Sequence, residues 1–271
     1  MKELSFRERN LYSKKFIKQH QYNINTRGYT LVEGFLKKGE CATLKKGMES
    51  ALLSFKPRIN IKRSILDKFQ IHDLVVSDIN YARLLEDPRI DQLISPFLGK
   101  AWVMYAATSS SIPPNGRNYA SRLHVDSPRF QPGYIFNMGI IWALDEYTAY
   151  NGALKILSGS QHSAETPTLE YFENNASQLI CPAGTLIIFN ARTFHRTCDN
   201  NTDKWSHSMT LNACRSFMKQ RMDWVKFIPE HLANELNPLA RRLLGFDTRL
   251  PASLDEFFLP EEQRLYKENQ G

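Results

Sequence analysis

Apolar residues in the first hundred positions recur mainly at helical spacing. Segments 7–20 and 38–55 place apolar side chains three or four residues apart, which predicts two amphipathic helices. Residues 28–36 (GYTLVEGFL) alternate between apolar and polar side chains, as a short strand does. A further helical stretch covers about 80–98 and stops before Gly99, since glycine commonly follows a helix C-terminus.

After residue 100 the pattern changes to short apolar runs divided by Pro, Gly and Asn turns. The predicted strands cover residues 101–112, 134–147, 152–157, 184–191 and 206–217. Strands that follow one another without intervening helices favour antiparallel sheets over a parallel α/β sheet. We therefore expect a mainly β protein with flanking α-helices and a jelly-roll core.

Helical spacing returns in the tail, in residues 230–244 and 253–258, where prolines interrupt it. This tail is expected to pack on the barrel or to cover its mouth. No repeat, low-complexity tract or Gly/Ser linker marks a boundary, so one domain over 1–271 is predicted. Its parts are a helical front (1–100), a β core (about 101–217) and a helical tail (218–271).

Net charge is +7 and is unevenly distributed over the 271 residues. Residues 1–63 carry 15 Lys/Arg and 5 Asp/Glu, whereas the rest carries 20 and 23. The basic front has no zinc-finger, RNP-like or helix-turn-helix pattern, so it predicts a solvated helix face and no nucleic-acid partner. The longest apolar run, 134–144, is too short to cross a bilayer, and the N-terminus lacks a secretory signal pattern. The sequence therefore predicts a soluble, cytoplasmic protein without a membrane partner.

His124, Val125 and Asp126 form an HxD triplet, whose first and third side chains share one side of an extended segment. The two side chains can therefore reach one metal ion. His195 could supply a third ligand, because it follows the apolar run 184–191 and a neighbouring strand end could bring it alongside. Two imidazoles and one carboxylate leave open positions on the metal, as in non-haem Fe(II) oxygenases.

Four segments around the triplet resemble the phytanoyl-CoA dioxygenase (PhyH) family of iron- and 2-oxoglutarate-dependent oxygenases. They are GYTLVEGFLKKGECATLKKGMESAL, RLHVDSP, ALDEYTAYNGALKILSGSQH and CPAGTLIIFNARTFHRTCDNN. The resemblance implies a double-stranded β-helix (cupin-like) core with His124, Asp126 and His195 as iron ligands. It also implies that Fe(II), O₂ and 2-oxoglutarate hydroxylate an unactivated C–H bond, while 2-oxoglutarate is converted to succinate and CO₂.

Asp126 narrows the reaction, because halogenases related to this family carry a small residue in its place to admit chloride. Hydroxylation is therefore expected, and desaturation, ring closure and epoxidation stay open. Two other classes also stay open: a metal-dependent oxidase or isomerase that does not use 2-oxoglutarate, and a non-catalytic binding protein. The presence of all three ligands argues against the second class.

One position departs from the family pattern. The family usually holds the far carboxylate of 2-oxoglutarate with an arginine about eleven residues after the distal histidine, and here that position is Ser206. Three explanations are open. A bulge could turn His207 inward, Lys155 or Arg192 could substitute, or the cosubstrate could be another molecule.

Strand alternation adds a prediction about the residues beyond Ser206. If Ser206 faces the barrel interior, Thr210 and Asn212 do so as well, whereas Arg215 faces outward and cannot replace the missing arginine. Asn137, on the long apolar strand, is a further candidate for contact with the cosubstrate.

Aromatic and basic residues around the triplet are candidates for substrate contact. They are Tyr105, Arg122, Arg129, Tyr134 and Trp142. They could line a small-molecule pocket, and the arginines would suit an anionic or carboxylated substrate. Our working hypothesis is a hydroxylase of specialised metabolism or small-molecule catabolism. The sequence leaves open whether the protein is a monomer or a homodimer.

Overall fold

The computed structural model describes residues 3–56 and 69–264 of the chain. Its helices are α1 (Lys14–Arg27), α2 (Lys38–Leu53), α3 (Leu74–Ser77), α4 (Ile79–Arg83), α5 (Pro88–Leu98), α6 (Leu169–Asn175), α7 (Trp224–Phe227), α8 (Glu230–Glu235), α9 (Pro238–Leu243) and α10 (Leu254–Phe257). Its strands are β1 (Tyr29–Val32), β2 (Val103–Ser109), β3 (Asn137–Ala143), β4 (Leu154–Ile156), β5 (Ser177–Gln178), β6 (Leu186–Asn190), β7 (His195–Thr197) and β8 (Ser208–Cys214). Along the chain, the first hundred residues are mainly helical and contain one strand, the middle is rich in strands, and the tail is helical, whereas α6 inside the middle was not predicted.

Helix α1 begins later than its apolar spacing suggested. Ser13 is the N-cap, and its hydroxyl accepts a hydrogen bond from the Phe16 N–H. The predicted start at residue 7 is therefore wrong, because the serine cap sets the first turn. The helix ends at Gly28, whose φ of 89° lies in the left-handed region that glycine adopts without strain.

The stretch predicted as one helix over residues 80–98 is two helices joined by a 3₁₀ turn (Leu84–Glu86). The break lies at Asp87 and Pro88. The Asp87 carboxylate accepts a hydrogen bond from the Arg89 N–H, and Pro88 sits in the first turn, where a missing N–H removes no intrahelical bond. The Asp87–Pro88 pair thus starts a new helix, although the helical spacing of apolar residues continues across it.

The strands form two antiparallel sheets. The larger sheet has the order β1-β6-β3-β8-β2 and the smaller has the order β5-β4-β7. Most strands that pair in these sheets are distant in sequence, so the chain crosses between the sheets repeatedly, as in a jelly roll. The predicted jelly-roll core is confirmed.

The helices of the front and tail pack on one face of the larger sheet, and the smaller sheet packs on its other face. Along β8, Met209, Leu211 and Ala213 join the main apolar core on the helical side, whereas Thr210 and Asn212 line a cavity on the other side. The alternation predicted for this strand is confirmed. Strand β3 is buried at every position because it lies in the middle of the sheet and is covered on both faces.

The tail packs on the barrel, which is one of the two positions expected for it. Helix α9 contacts β2, and Leu243 and Leu244 are fully buried in the main core. The predicted helical stretch 230–244 is divided because Asn237 caps a new helix that starts at Pro238. None of the helices in the described residues is long and apolar enough to cross a membrane.

Candidate metal centre

A pair of backbone hydrogen bonds places His124 beside His195. The His124 N–H donates to the His195 carbonyl at 3.1 Å, and the His195 N–H donates to the His124 carbonyl at 3.0 Å. His195 begins β7, so this pairing adds the HxD segment to the edge of the smaller sheet. The structure thus brings together the two histidines that the sequence analysis combined.

The third side chain of the group is fixed from the other sheet. The Asp126 N–H donates to the carbonyl of Ala191, which directly follows β6. Asp126 Oδ1 lies 3.6 Å from His124 Nε2 and 3.8 Å from His195 Nε2, and one ligand atom from each residue lies within 4.8 Å of the others. Ligand atoms bound about 2 Å from one ion lie up to about 4 Å apart, so the two carboxylate–imidazole distances suit a shared ion.

Each imidazole is held in the tautomer that a metal requires. His124 Nδ1 lies 2.7 Å from the Arg122 carbonyl oxygen, and His195 Nδ1 lies 2.9 Å from the Thr193 carbonyl oxygen. Because a carbonyl can only accept, both Nδ1 atoms carry the proton and both Nε2 atoms present a lone pair. Both lone pairs are on the nitrogens nearest Asp126.

Asp126 is supported by a chain of two amides. The Asn212 Nδ2 donates to Asp126 Oδ2 at 3.3 Å, and Asn137 Nδ2 donates to Asn212 Oδ1 at 2.9 Å. Burial alone would raise the pKa of Asp126, but the neighbouring His124 and His195 and the hydrogen bond from Asn212 bring that pKa below its usual value. Asp126 is therefore an ionised carboxylate with Oδ1 directed at the two histidines.

His195 is the most buried member of the group. Burial, with a smaller contribution from the neighbouring His124, lowers the pKa of His195 to about 4. The ring is therefore neutral at physiological pH and able to bind a metal. The ring of Phe189 packs edge-on against it with centroids 4.7 Å apart, and Phe189 in turn lies over Gly139, where any side chain would overlap the phenyl ring.

A cavity of about 350 Å³ contains the three side chains. Its inner wall carries hydroxyl groups, and we call these residues the hydroxyl wall. They are Ser110, Tyr147, Thr197 and Thr210. The rim of the cavity consists of exposed residues, namely Tyr119, Arg122 and Arg221. This volume falls in the range of small-molecule sites.

Ser206 and His207 do not line this cavity. Ser206 is buried in a backbone pairing with Ile112. His207 faces the helical side of the sheet, where its Nδ1 lies 2.9 Å from Ser111 Oγ and its Nε2 lies 3.9 Å from Glu49 Oε1. The structure therefore does not place His207 where it could bind a cosubstrate in the cavity.

The other predicted basic contacts also lie elsewhere. Lys155 donates to the Glu173 carboxylate at 2.6 Å, and Arg192 donates to the Ser163 carbonyl oxygen at 2.8 Å. Neither side chain lines the cavity. Asn137 is also outside it, but it contacts Asn212 and so supports Asp126 indirectly.

The predicted substrate contacts divide into two groups. Tyr105 and Arg122 line the cavity. Arg129, Tyr134 and Trp142 do not. Trp142 is fully buried in the main core because its strand neighbour Ile141 faces the cavity, and alternate side chains point to opposite faces.

Sequence reasoning missed several residues of the cavity. Tyr147 lies beyond the end of β3, and its side chain lines the cavity. Arg221 follows the last predicted strand, in a segment assigned to the tail. Thr197 could have been found from the sequence, because it stands two positions after His195 on the same strand and so shares its face.

Comparison with known proteins agrees with this architecture. An uncharacterized protein of Mycobacterium tuberculosis, Rv1501, is 27% identical over 260 residues, which cover 93% of this chain and 95% of that protein. Two solved structures share the fold at lower identity. They are EctD from S. alaskensis with 2-oxoglutarate and 5-hydroxyectoine (TM-score 0.61, 17% identity, 78% of this chain and 81% of that chain) and the epimerase SnoN with Fe³⁺, alpha ketoglutarate and nogalamycin RO (TM-score 0.58, 16% identity, 74% and 84%).

The family model for phytanoyl-CoA dioxygenase (PhyH) matches residues 24–208, which is more than half of the chain. The matched range contains all three members of the candidate metal centre and most strands of both sheets. The resemblance drawn from four sequence segments is confirmed, and the chain belongs to the phytanoyl-CoA dioxygenase (PhyH) family.

Proposed function

We propose that this protein is an Fe(II)- and 2-oxoglutarate-dependent dioxygenase that hydroxylates an unactivated C–H bond of a small molecule. The observation that carries the proposal is the geometry of His124, Asp126 and His195. Two imidazole lone pairs and one ionised carboxylate oxygen converge at the wall of a cavity that is large enough for small molecules. Two nitrogens and one oxygen are the ligand set of non-haem Fe(II) oxygenases.

Iron held by these three residues would bind 2-oxoglutarate and O₂ and supply the oxidising power for C–H cleavage. The chain's own groups have separate tasks. Backbone carbonyls fix both imidazoles, and Asn212 holds the second oxygen of Asp126 away from the histidines. The apolar side chains of Phe189, Ile141 and Leu154 limit water in the same cavity.

The hydroxyl wall is the part of the cavity best suited to the far carboxylate of 2-oxoglutarate. Along β8, Asn212 contacts Asp126, and Thr210 is the next side chain on the same face. Two residues of a strand span about 6.8 Å, which is the scale of a five-carbon dicarboxylate. Burial raises the pKa of Tyr147, so its phenol stays protonated and can donate to a carboxylate. Hydroxyl donors would thus replace the arginine that the family usually carries at the position of Ser206.

One observation favours a second candidate, a metal-dependent oxidase or isomerase that does not use 2-oxoglutarate. None of the three basic residues considered for the far carboxylate lines the cavity, namely His207, Lys155 and Arg192, and the arginines that do line it, Arg122 and Arg221, lie at its rim. The fold also accommodates reactions other than hydroxylation, since SnoN is an epimerase. A charged anchor is stronger than a neutral hydrogen bond, so cosubstrate binding is the property to measure first.

The experiment is anaerobic addition of Fe(II) and then 2-oxoglutarate to the purified protein. We expect a weak visible charge-transfer band that is absent in Asp126→Ala and present in Asp203→Ala, a variant of an exposed aspartate outside the cavity. Iron binding without the band would contradict the use of 2-oxoglutarate and favour the second candidate. Failure to bind iron at all would favour a binding protein that has kept the fold.

A further inference from the structure

Two arginines at the rim of the cavity lack an acidic partner. Arg122 and Arg221 are both exposed and both line the cavity, and neither forms an ion pair within the described residues. Arg89 and Arg242, by contrast, form ion pairs with Asp87 and Asp91, both at 2.7 Å. Within the part of the chain that the structure describes, the rim therefore carries two positive charges that have no acidic partner.

Arg221 is positioned by an irregularity in β2. The pairing of β2 with β8 shifts register between Met104 and Ala106, so Tyr105 is an extra residue, which defines a β-bulge. The freed Tyr105 carbonyl accepts a hydrogen bond from the Arg221 N–H at 3.0 Å. The adjacent Gln220 side chain donates to the Met104 carbonyl at 2.7 Å, which fixes the same segment from its other side. The backbone that carries Arg221 is thus held against the strand beside the cavity.

Arg122 is positioned from the HxD segment. Its carbonyl accepts the hydrogen bond from His124 Nδ1, and its guanidinium carbon lies 4.0 Å from the centroid of the Tyr119 ring. Stacking on an aromatic ring orients a guanidinium group and leaves its edge N–H donors free for an anion. Arg122 therefore presents donors at the rim, two residues from the proposed metal ligand.

The cavity has little negative charge to balance these groups. Asp126 is the only carboxylate that lines it among the residues the structure describes, and its oxygens are directed at the two histidines and at Asn212. The planar guanidinium group binds carboxylate and phosphate oxygens in pairs, which makes such groups its preferred ligands. Tyr105 and Tyr119 add aromatic surface beside the two charges.

We propose that Arg122 and Arg221 bind an oxyanion group of the substrate, a carboxylate or a phosphate, while the body of the substrate contacts Tyr105 and Tyr119. This inference rests on the proposed function, because it places a substrate beside the candidate metal centre. The two arginines come from different segments, one beside the HxD triplet and one held against β2, and both line the same cavity, so together they would hold one end of the substrate. The rim thereby selects for anionic small molecules and leaves the hydroxyl wall to the cosubstrate.

The experiment measures ligand binding by calorimetry on protein loaded with Ni(II) and 2-oxoglutarate, so that no reaction is required. The probes are the anions phenyl phosphate and benzoate, and phenol, which has the same ring without the charge, is the control. We expect both anions to bind more tightly than phenol, with affinity lowered about ten-fold or more in Arg122→Ala and in Arg221→Ala. Arg117→Ala, which removes an exposed arginine of the same loop that does not line the cavity, should bind the probes like the unchanged protein.

Equal binding of the anions and phenol to the unchanged protein would overturn the proposal. So would a loss of 2-oxoglutarate affinity in the arginine variants, because the arginines would then hold the cosubstrate. Anion binding that depends on both arginines but needs only Ni(II) would support the proposal even if 2-oxoglutarate fails to bind. That result would separate a failure of the proposed function from a failure of this inference.

Discussion

Asn212 donates a hydrogen bond to Asp126 and so connects the candidate metal centre to β8, a strand of the larger sheet. Both histidines of the centre belong to the smaller sheet or its edge. The Asn212–Asp126 contact, with the Asp126 N–H bond to Ala191, joins the two layers at the site. The carboxylate is therefore oriented by a strand that contributes no ligand of its own.

The first prediction concerns this contact. Asn212→Leu keeps the side-chain size but removes the donor to Asp126, so the affinity for Co(II) should fall about ten- to hundred-fold. Equilibrium titration of the visible Co(II) spectrum measures the change. Thr210→Val is the control, since it alters the same strand face without touching Asp126, and equal affinities in both variants would contradict the supporting role of Asn212.

The second prediction concerns the hydroxyl wall. The double variant Tyr147→Phe, Thr210→Val removes two hydroxyl groups from the cavity, and the dissociation constant of 2-oxoglutarate on the Ni(II)-loaded protein should rise about ten-fold. Tyr150→Phe removes a hydroxyl from an exposed tyrosine and should leave the constant unchanged. An unaltered constant in the double variant would mean that the cosubstrate lies on another wall.

The third prediction concerns Arg215. It is the first arginine after Ser206, the position where the family usually carries the arginine that binds 2-oxoglutarate. Its guanidinium donates to the carbonyls of Ile135 and Phe97 at 2.9 Å each, away from the cavity. Arg215→Ala should therefore lower the melting temperature and leave 2-oxoglutarate affinity within about two-fold of the original. A ten-fold loss of affinity in correctly folded protein would show that Arg215 reaches the cosubstrate.

The fourth prediction concerns the contact between Gly139 and Phe189. A methyl group on Gly139 would lie only 2.0 Å from Phe189 Cζ, so the ring must move, and its motion disturbs the packing on His195. Gly139→Ala should destabilise the protein by about 1–3 kcal/mol and weaken metal binding. Chemical denaturation and metal titration measure the two effects, and Gly39→Ala, in open space on α2, provides the control.

The fifth prediction concerns pH. Burial lowers the pKa of His20, whose Nδ1 lies 2.7 Å from Thr30 Oγ1. The unfolded chain therefore binds more protons than the folded one just below the ordinary histidine pKa of about 6.5, and the free energy of unfolding should fall as pH drops through that region. His20→Gln should flatten this decline between pH 7 and pH 5, whereas a change at the exposed His231 should not. Parallel declines in all three proteins would contradict the assignment to His20.

The residues whose direction could be predicted from the sequence lie on strands or extended segments, where successive side chains point to opposite faces. His124 and Asp126 face together because they are two apart, and Thr210 and Asn212 face the cavity while Met209 and Leu211 face the helices. The alternation of side chains along a strand follows from backbone geometry alone, so these directions can be predicted without knowledge of the tertiary structure.

The cavity residues that escaped prediction depend on contacts between distant segments. Arg221 reaches the rim only because a bulge frees the Tyr105 carbonyl, and a bulge breaks the strand period on which prediction relies. Lys155 was a candidate for contact with the cosubstrate, and it lies on β4. Its neighbour Leu154, however, is the residue of that strand that lines the cavity. The choice between two neighbours on a short strand is decided by which one packs on the opposite sheet.

The candidate metal centre has ligands fixed by both layers of the barrel, so a bound ion would act as a cross-link between them. Its binding free energy would add directly to the stability of the folded state, because the unfolded chain cannot assemble the three ligands. A shortage of iron in the cell would then lower the abundance of this protein as well as its activity, since copies without metal would unfold more often and be degraded.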